Sequence, residues 1–291
     1  LLIWLGGMEL GHAAAALLVG DENPSGKLPM TWPVRYQDTP AYLNFPGEYG
    51  EVRYGEGIYV GYRYYDAKDV KPQFAFGHGL SYTRFELDNL RLSAETLDLD
   101  ADESLSVWVD VRNTGGRAGH EVVQLYVADV ESTPHRPPKE LKAFAKVAIA
   151  PGETETVELK LGRRSLQHYD PRKKMWCVEP GVFRVLVGTS AAEIRLQAEF
   201  WAKGRNPYGY GPETSIGTVM ADPRAVALLQ KYLPAEIVSP EALQMELTYG
   251  PERPLGPIWA AGAERALGHL SAEERAEIEQ AMYDELGAIE I

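Results

Sequence analysis

The chain has 291 residues, 45% hydrophobic and 24% charged, which is enough apolar surface for a packed core and too much for wholesale disorder. Lys plus Arg number 29 against 42 Asp plus Glu, and the resulting net charge of −13 repels phosphate backbones and argues against nucleic acid as a partner. The single cysteine, Cys177, excludes an internal disulfide and a four-cysteine zinc site, and no run reaches the ~18 apolar residues of a membrane helix, so no membrane partner is expected.

At ~150 residues per domain the length suggests two domains. Leu1-Leu2-Ile3-Trp4 runs into Gly6-Gly7 and reads as a buried strand followed by a tight turn. Such a strand needs neighbours on both sides. Residues 1–34 are therefore expected to be part of a larger α/β domain whose earlier part lies outside the chain. A helix is predicted from about Glu9 to Val19, with Leu10, Ala13, Ala14, Leu17 and Leu18 at helical spacing and Gly20 as its C-terminal stop. Leu28 to Pro33 reads as a short extended segment after a compact turn.

Residues 35–83 form an aromatic, glycine-rich connector in which Tyr42, Tyr49, Tyr54, Tyr59, Tyr62, Tyr64 and Tyr65 lie close together. That density of rings suits an ordered segment packed across domain surfaces, with tyrosines lining a pocket rim as the functional alternative. Residues 84–202 alternate with period two, as at Leu105, Val107, Val109 and Val111, and predict an antiparallel two-sheet β-sandwich with Trp108 in its core. Val122 to Val127 reads as a strand buried on both faces. Residues 203–291 form a helical tail. Asp222-Pro223 opens a helix to about Tyr232, Ser239-Pro240 a second to about Leu247, and the Ser271–Glu274 capping box a third to about Leu286. Each is too short to stand alone, so they should dock on the sandwich or on a partner. The fold class is thus multidomain: a fragment of an α/β sandwich domain, an antiparallel β-sandwich and a short α-helical tail.

The sequence carries no complete active site. The histidines His12, His78, His120, His135, His168 and His269 are not spaced as metal ligands, so no metal and no cofactor is expected. Gly55-Glu56-Gly57 with Gly61 lacks the helix of a phosphate loop, Asn23 to Lys27 lacks the Walker order, and no G-x-S-x-G elbow is present. Cys177 reads as an inert buried thiol without a histidine partner. Glu9, Glu48, Glu56 and Asp66 are the carboxylates to weigh for general acid/base work. Glu9 begins a helix, where an acid suits the dipole. Glu56 and Asp66 are expected to pair with Arg53 or Arg63.

Three blocks carry a resemblance. Trp4-Leu5-Gly6-Gly7-Met8-Glu9-Leu10-Gly11 with Leu18 to Pro33, Tyr54-Gly55-Glu56-Gly57-Ile58-Tyr59-Val60-Gly61-Tyr62-Arg63-Tyr64-Tyr65-Asp66, and Phe74 to Phe85 resemble, in order and spacing, the C-terminal part of glycoside hydrolase family 3. They look like the end of its second domain, its connector and the entry to its fibronectin type III-like domain, over about residues 1–202. Met8 stands where the family usually has glutamine, and His78 where Tyr or Phe is common. The resemblance implies a parent enzyme that hydrolyses terminal non-reducing β-linked sugars with retention, its substrate a β-linked oligosaccharide or glycoside. The family's nucleophile is an aspartate in an N-terminal (β/α)8 barrel, and its acid/base is a glutamate upstream of the segment matching Trp4 to Glu9. No position here matches either, so no catalytic residue is assigned, Glu9 is withdrawn, and the isolated chain is expected to be inactive. The alternative is a free-standing carbohydrate- or protein-binding sandwich module. A cytoplasmic setting and a homodimer formed through the tail are further expectations.

Overall fold

Alternating valines and leucines build the core of the structure, a computed structural model that describes residues 1–101, 103–204, 206–212, 214–232, 248, 250 and 253–289. The chain divides into two compact units, one of Leu1–Gln167 with Gly181–Lys203 and one of His168–Pro180 with Gly204–Ile291.

The first unit opens on an extended segment and helix α1 (Leu10–Val19), which ends at Gly20 with φ 87°. That left-handed conformation favours glycine, and the Gly20 amide bonds back to the Ala16 carbonyl. Leu1–Trp4, expected as a buried strand, forms none, and all four side chains are exposed. No described segment lies alongside to take up its backbone hydrogen bonds, and an unpaired strand is not stable. Further on, Trp32 pairs with Phe74 in an isolated bridge. The connector also contains helix α2 (Tyr62–Lys68), which the sequence pattern does not signal because Gly61 offers no side-chain cap and the segment is rich in aromatics.

The sandwich follows. Its strands are β1 (Phe85–Leu92), β2 (Thr96–Asp98), β3 (Ser104–Asn113), β4 (Gly119–Asp129), β5 (Glu140–Ile149) and β6 (Thr154–Gly162), the last leading into a single turn, α3 (Arg163–Leu166). A short hairpin, β7 (His168–Asp170) and β8 (Met175–Cys177), belongs to the second unit. Strands β9 (Gly181–Ser190) and β10 (Glu193–Lys203) return to the sandwich. One sheet has the order β1-β3-β6 and the other β2-β10-β9-β4-β5. Among the described strands only β2 runs parallel to its neighbour, β10.

Leu105, Val107, Val109 and Val111 of β3 face Val157, Leu159 and Leu161 of β6 within one sheet, and all seven are buried. Val123, Leu125 and Val127 of β4 with Phe183, Val185 and Val187 of β9 supply the other sheet's buried row, and the Phe183 and Phe200 rings stack 5.9 Å apart. Burying each such side chain contributes about 1.5–3 kcal/mol. The expectation of Trp108 in this core is corrected. Period two places it instead on the outer face of β3, half-buried, opposite Arg91 and Glu158.

Among the described residues, the helices of the second unit are α4 (Ile216–Met220), α5 (Pro223–Tyr232), α6 (Leu255–Ala266) and α7 (Ala272–Gly287). The capping box at Ser271 and Glu274 forms in full. Helix α6 is absent from the sequence expectations because Gly256, Pro257 and Gly262 look like breakers. Pro257 falls in its first turn, where no amide partner is lost. The helices share one buried cluster around Trp259, Met282 and Leu286. The helix predicted from Ser239 to Leu247 lies outside the described residues.

One buried polar side chain ties the sandwich to its flanking loops. Asn113 is fully buried, its Oδ1 accepts from Thr83 Oγ1 at 2.7 Å and the Gly115 amide at 3.1 Å, and its Nδ2 donates to the carbonyls of Arg117 at 2.7 Å and Ile149 at 3.0 Å. Replacing it with leucine keeps the branched shape, removes both polar atoms and strands these partners. Asn113→Leu should destabilise the first unit by about 3 kcal/mol in urea denaturation followed by tryptophan fluorescence. A midpoint unchanged from wild type would mean that water satisfies the stranded groups.

Candidate functional site

The four candidate carboxylates are dispersed. Glu9 sits at the N-cap of α1 without a capping hydrogen bond, its exposed side chain 2.6 Å from His12 Nδ1. Glu48 is exposed beside a backbone bridge to Glu51. Glu56 is half-buried, with Oε2 shielded from solvent and unpartnered. Asp66, on α2, meets Lys139 Nζ at 2.5 Å. Among the described residues no hydrogen bond or ion pair joins any two of the four. The pairing expected of Asp66 is also corrected. It takes Lys139, 73 positions away, while Arg63 goes to Glu140 at 2.9 Å. Helical geometry puts Arg63 and Asp66 on one face of α2, and that face meets β5 rather than pairing with itself.

Glu140 is the centre of this contact. Arg63, Arg136 and Lys142 surround it at 2.9, 3.1 and 3.3 Å, and Arg136 also holds Asp129 at 2.7 Å. Burial opposes the charge on Glu140, but the three cations outweigh it and keep the carboxyl below its ordinary value. Burial lowers the Lys142 ammonium in turn. Beside the network the Tyr62 hydroxyl accepts from the Leu141 amide at 2.7 Å, and the Tyr62 ring packs edge-on to Tyr126 at 5.7 Å. Burial pushes the Tyr62 hydroxyl up. Every member has a partner, which is the arrangement of a docking joint rather than of a reacting group.

A second polar centre lies in the second unit. Contrary to the expectation that Cys177 has no histidine near it, His168 stands directly opposite it in the β7–β8 register. The correction stops there, because His168 Nε2 bonds the Tyr208 hydroxyl at 2.6 Å and the two rings stack 5.9 Å apart. Burial pushes the Cys177 thiol up, the opposite of what a nucleophile needs. Nearby, Asp170 accepts from the amides of Arg172 at 2.7 Å and Lys173 at 3.2 Å. Burial of Asp170 works against its charge, and these hydrogen bonds prevail, holding the carboxyl at about 2. Among the described residues no group of three His, Cys, Asp or Glu side chains is placed to hold a metal.

The third arrangement joins the N-terminal segment to the sandwich. Arg117 Nη2 donates to the Gly20 carbonyl and, at 3.0 Å, to that of Asp21, while the Tyr82 hydroxyl donates to the Leu17 carbonyl at 2.7 Å. Asn23 donates to the Ala118 carbonyl at 2.9 Å and accepts from Ser81 Oγ at 3.0 Å and the Tyr82 amide at 2.8 Å.

Residues 1–82, the part so anchored, match the model of the glycosyl hydrolase family 3 C-terminal domain, and residues 121–191 match that of a fibronectin type III-like domain. The chain carries the C-terminal region of glycoside hydrolase family 3. Thermostable beta-glucosidase B of Acetivibrio thermocellus is 44% identical over 246 residues, which cover 84% of this chain and 32% of that protein. Probable beta-glucosidase I of Aspergillus clavatus is 46% identical over 68% of this chain and 24% of its own. Among solved structures, the GH3 beta-glucosidase of Bifidobacterium adolescentis superposes with a TM-score of 0.68 at 35% identity, covering 78% of this chain and 33% of that one. The beta-glucosidase of Kluyveromyces marxianus in complex with glucose does so with 0.63 at 45%, covering 67% and 23%. The chain thus spans about a quarter to a third of the length of these curated relatives. The family 3 likeness also runs past residue 202, since residues 1–202 alone do not supply 84% of the chain.

The Asp170 carboxyl has an ordinary value of 3.8 and a folded value of about 2. Its contribution to stability is therefore complete above 3.8 and disappears as pH falls through about 2. The melting temperature of the second unit should drop over that interval, and Asp170→Asn should flatten the drop while lowering Tm at neutral pH. Circular dichroism melts at stepped pH measure both, and an unchanged slope in the variant would remove Asp170 from the account.

Proposed function

We propose that this chain serves as the C-terminal, non-catalytic part of a β-glucosidase-like retaining glycoside hydrolase acting on terminal non-reducing β-linked sugars. The observation that carries the reading is the family 3 match over residues 1–82, set on a fibronectin type III-like sandwich. The dispersal of the four carboxylates supports it. A retaining mechanism needs two carboxyl groups about 5–5.5 Å apart, one attacking the anomeric carbon while the other protonates the leaving oxygen and later deprotonates water. Glu9, Glu48, Glu56 and Asp66 form no such pair by any contact among the described residues. The chemistry is then supplied from outside these residues, and this chain's contribution is placement. The Arg117, Tyr82 and Asn23 contacts fix the end of α1, and the Glu140 network fixes α2.

Exchanging the matching C-terminal segment of the Acetivibrio thermocellus enzyme for this chain tests the proposal. The chimera should hydrolyse p-nitrophenyl β-D-glucopyranoside within about tenfold of the parent, while the 291-residue chain alone gives no turnover above buffer. A folded chimera without activity, or turnover by the chain alone, overturns it.

A homodimer formed through the tail is a separate proposal. The tail helices pack on one another around Trp259 and Met282, which leaves only their outer faces for a second copy. Light scattering should return the dimer mass for the full chain and the monomer mass after deletion of residues 213–291. A monomeric full chain ends that idea.

A further inference from the structure

At one end of the sandwich a cleft of about 330 Å³ opens where the first residues of β1 and β4 meet the β9–β10 turn and the loops at Lys27 and Gly79. Small-molecule sites begin at roughly this size, ~300 Å³. Phe85 and Leu87 give it an apolar wall, and the remaining lining is polar.

The polar groups are left with open valences. Lys27 Nζ lies 2.8 Å from Glu121 Oε1 and donates to the Gly79 carbonyl at 3.3 Å, so its third N–H has no partner among the described residues. Glu121 is only 7% exposed, and the same Oε1 also accepts from the Val122 amide at 2.7 Å. Its Oε2 takes no hydrogen bond among the described residues. Glu193 accepts from Thr189 Oγ1 at 2.9 Å, whereas the Arg195 guanidinium is 3.8 Å away, beyond hydrogen-bond distance.

The charges select the ligand. A cation would meet Lys27 and Arg195, and an anion would meet Glu121 and Glu193. A neutral group that both donates and accepts suits all four. Hydroxyl groups do so, donating to Glu193 and to Glu121 Oε2 and accepting from Lys27 and Arg195, with a flat apolar face against Phe85. We propose that this cleft binds a small neutral polyol, one sugar ring in size. The assignment rests on the cleft alone and does not depend on the glycosidase reading.

Titration of the full ¹⁵N-labelled chain with D-glucose, D-xylose or myo-inositol tests it. Amide resonances of Gly79, Thr189 and Glu193 should shift saturably with at least one of the three. The double variant E193Q/R195M changes two exposed side chains and should weaken binding about tenfold or more with an unchanged Tm. Absence of saturable shifts from all three polyols overturns the proposal. Undiminished binding by the double variant also overturns it, as does a response to spermidine or citrate alone.

Discussion

From Val123 to Ala128 strand β4 has no solvent-facing side. One face meets the sandwich core, and over the other lie the connector rings Tyr62 and Phe76, themselves 5.2 Å apart. Burial of both faces is easily met by valine and leucine, yet Gln124 falls within this run at 3% exposure. A buried amide without partners costs about 1–3 kcal/mol, so its surroundings must be built around it. Its Nε2 donates to the Gly77 carbonyl at 3.3 Å and to that of Thr189 at 2.6 Å, and its Oε1 accepts from the Tyr126 hydroxyl at 2.6 Å. Gly77 has φ 80°, and a Cβ there would collide with the Gln124 carboxamide. One side chain thereby fixes the register of the connector against the sheet, and that register sets the position of α2 on β5.

The α2–β5 contact adds position more than stability. Asp66, Asp129 and Glu140 face Arg63, Arg136, Lys139 and Lys142, an excess of one positive charge in a half-buried place. Desolvation offsets most of what such pairs gain, and what survives is directional. The placement also protects the sheet. Strand β5 is an edge of its five-stranded sheet and is 10 residues long, a template for unwanted pairing unless it carries charge or cover. Lys142 and Lys146 along its length supply the charge, and at its start the Tyr62 hydroxyl of α2 takes up the Leu141 amide.

What the sequence reveals and what it hides divide along a physical line. Local signals are legible. Asp222-Pro223 marks the start of α5, Ser271 and Glu274 mark that of α7, and period two marks β3, because each depends on neighbours within a few residues. The family resemblance over the first 82 residues is legible for another reason, since its blocks are tied to specific turns such as that at Gly77. The misses are long-range. Asp66 with Lys139 spans 73 positions, and the Tyr208 contact with His168 spans 40. Trp108 shows the limit of composition, for a tryptophan suggests a core while its parity along β3 puts it outside. Leu1–Trp4 shows the same limit from the other side, since an apolar run becomes a strand only where another strand meets it.

Helix α1 makes that last point most sharply. Its sequence is almost wholly apolar, yet none of its residues is buried. Hydrophobic burial therefore does not hold it in place. Its C-terminal end does, through carbonyls that every helix leaves unsatisfied. Arg117 and Tyr82 donate to the carbonyls of Gly20 and Leu17, and a guanidinium there also complements the negative end of the helix dipole. The Arg117 guanidinium lies 5.8 Å from the Tyr82 ring, which keeps both donors together. A helix fixed by polar contacts at one end keeps its apolar flanks, including Leu18 and Val19, available. The polar clamp and the bare flank are thus two sides of one arrangement. The sandwich sets where the helix points, and its apolar surface is left for packing rather than spent on its own placement.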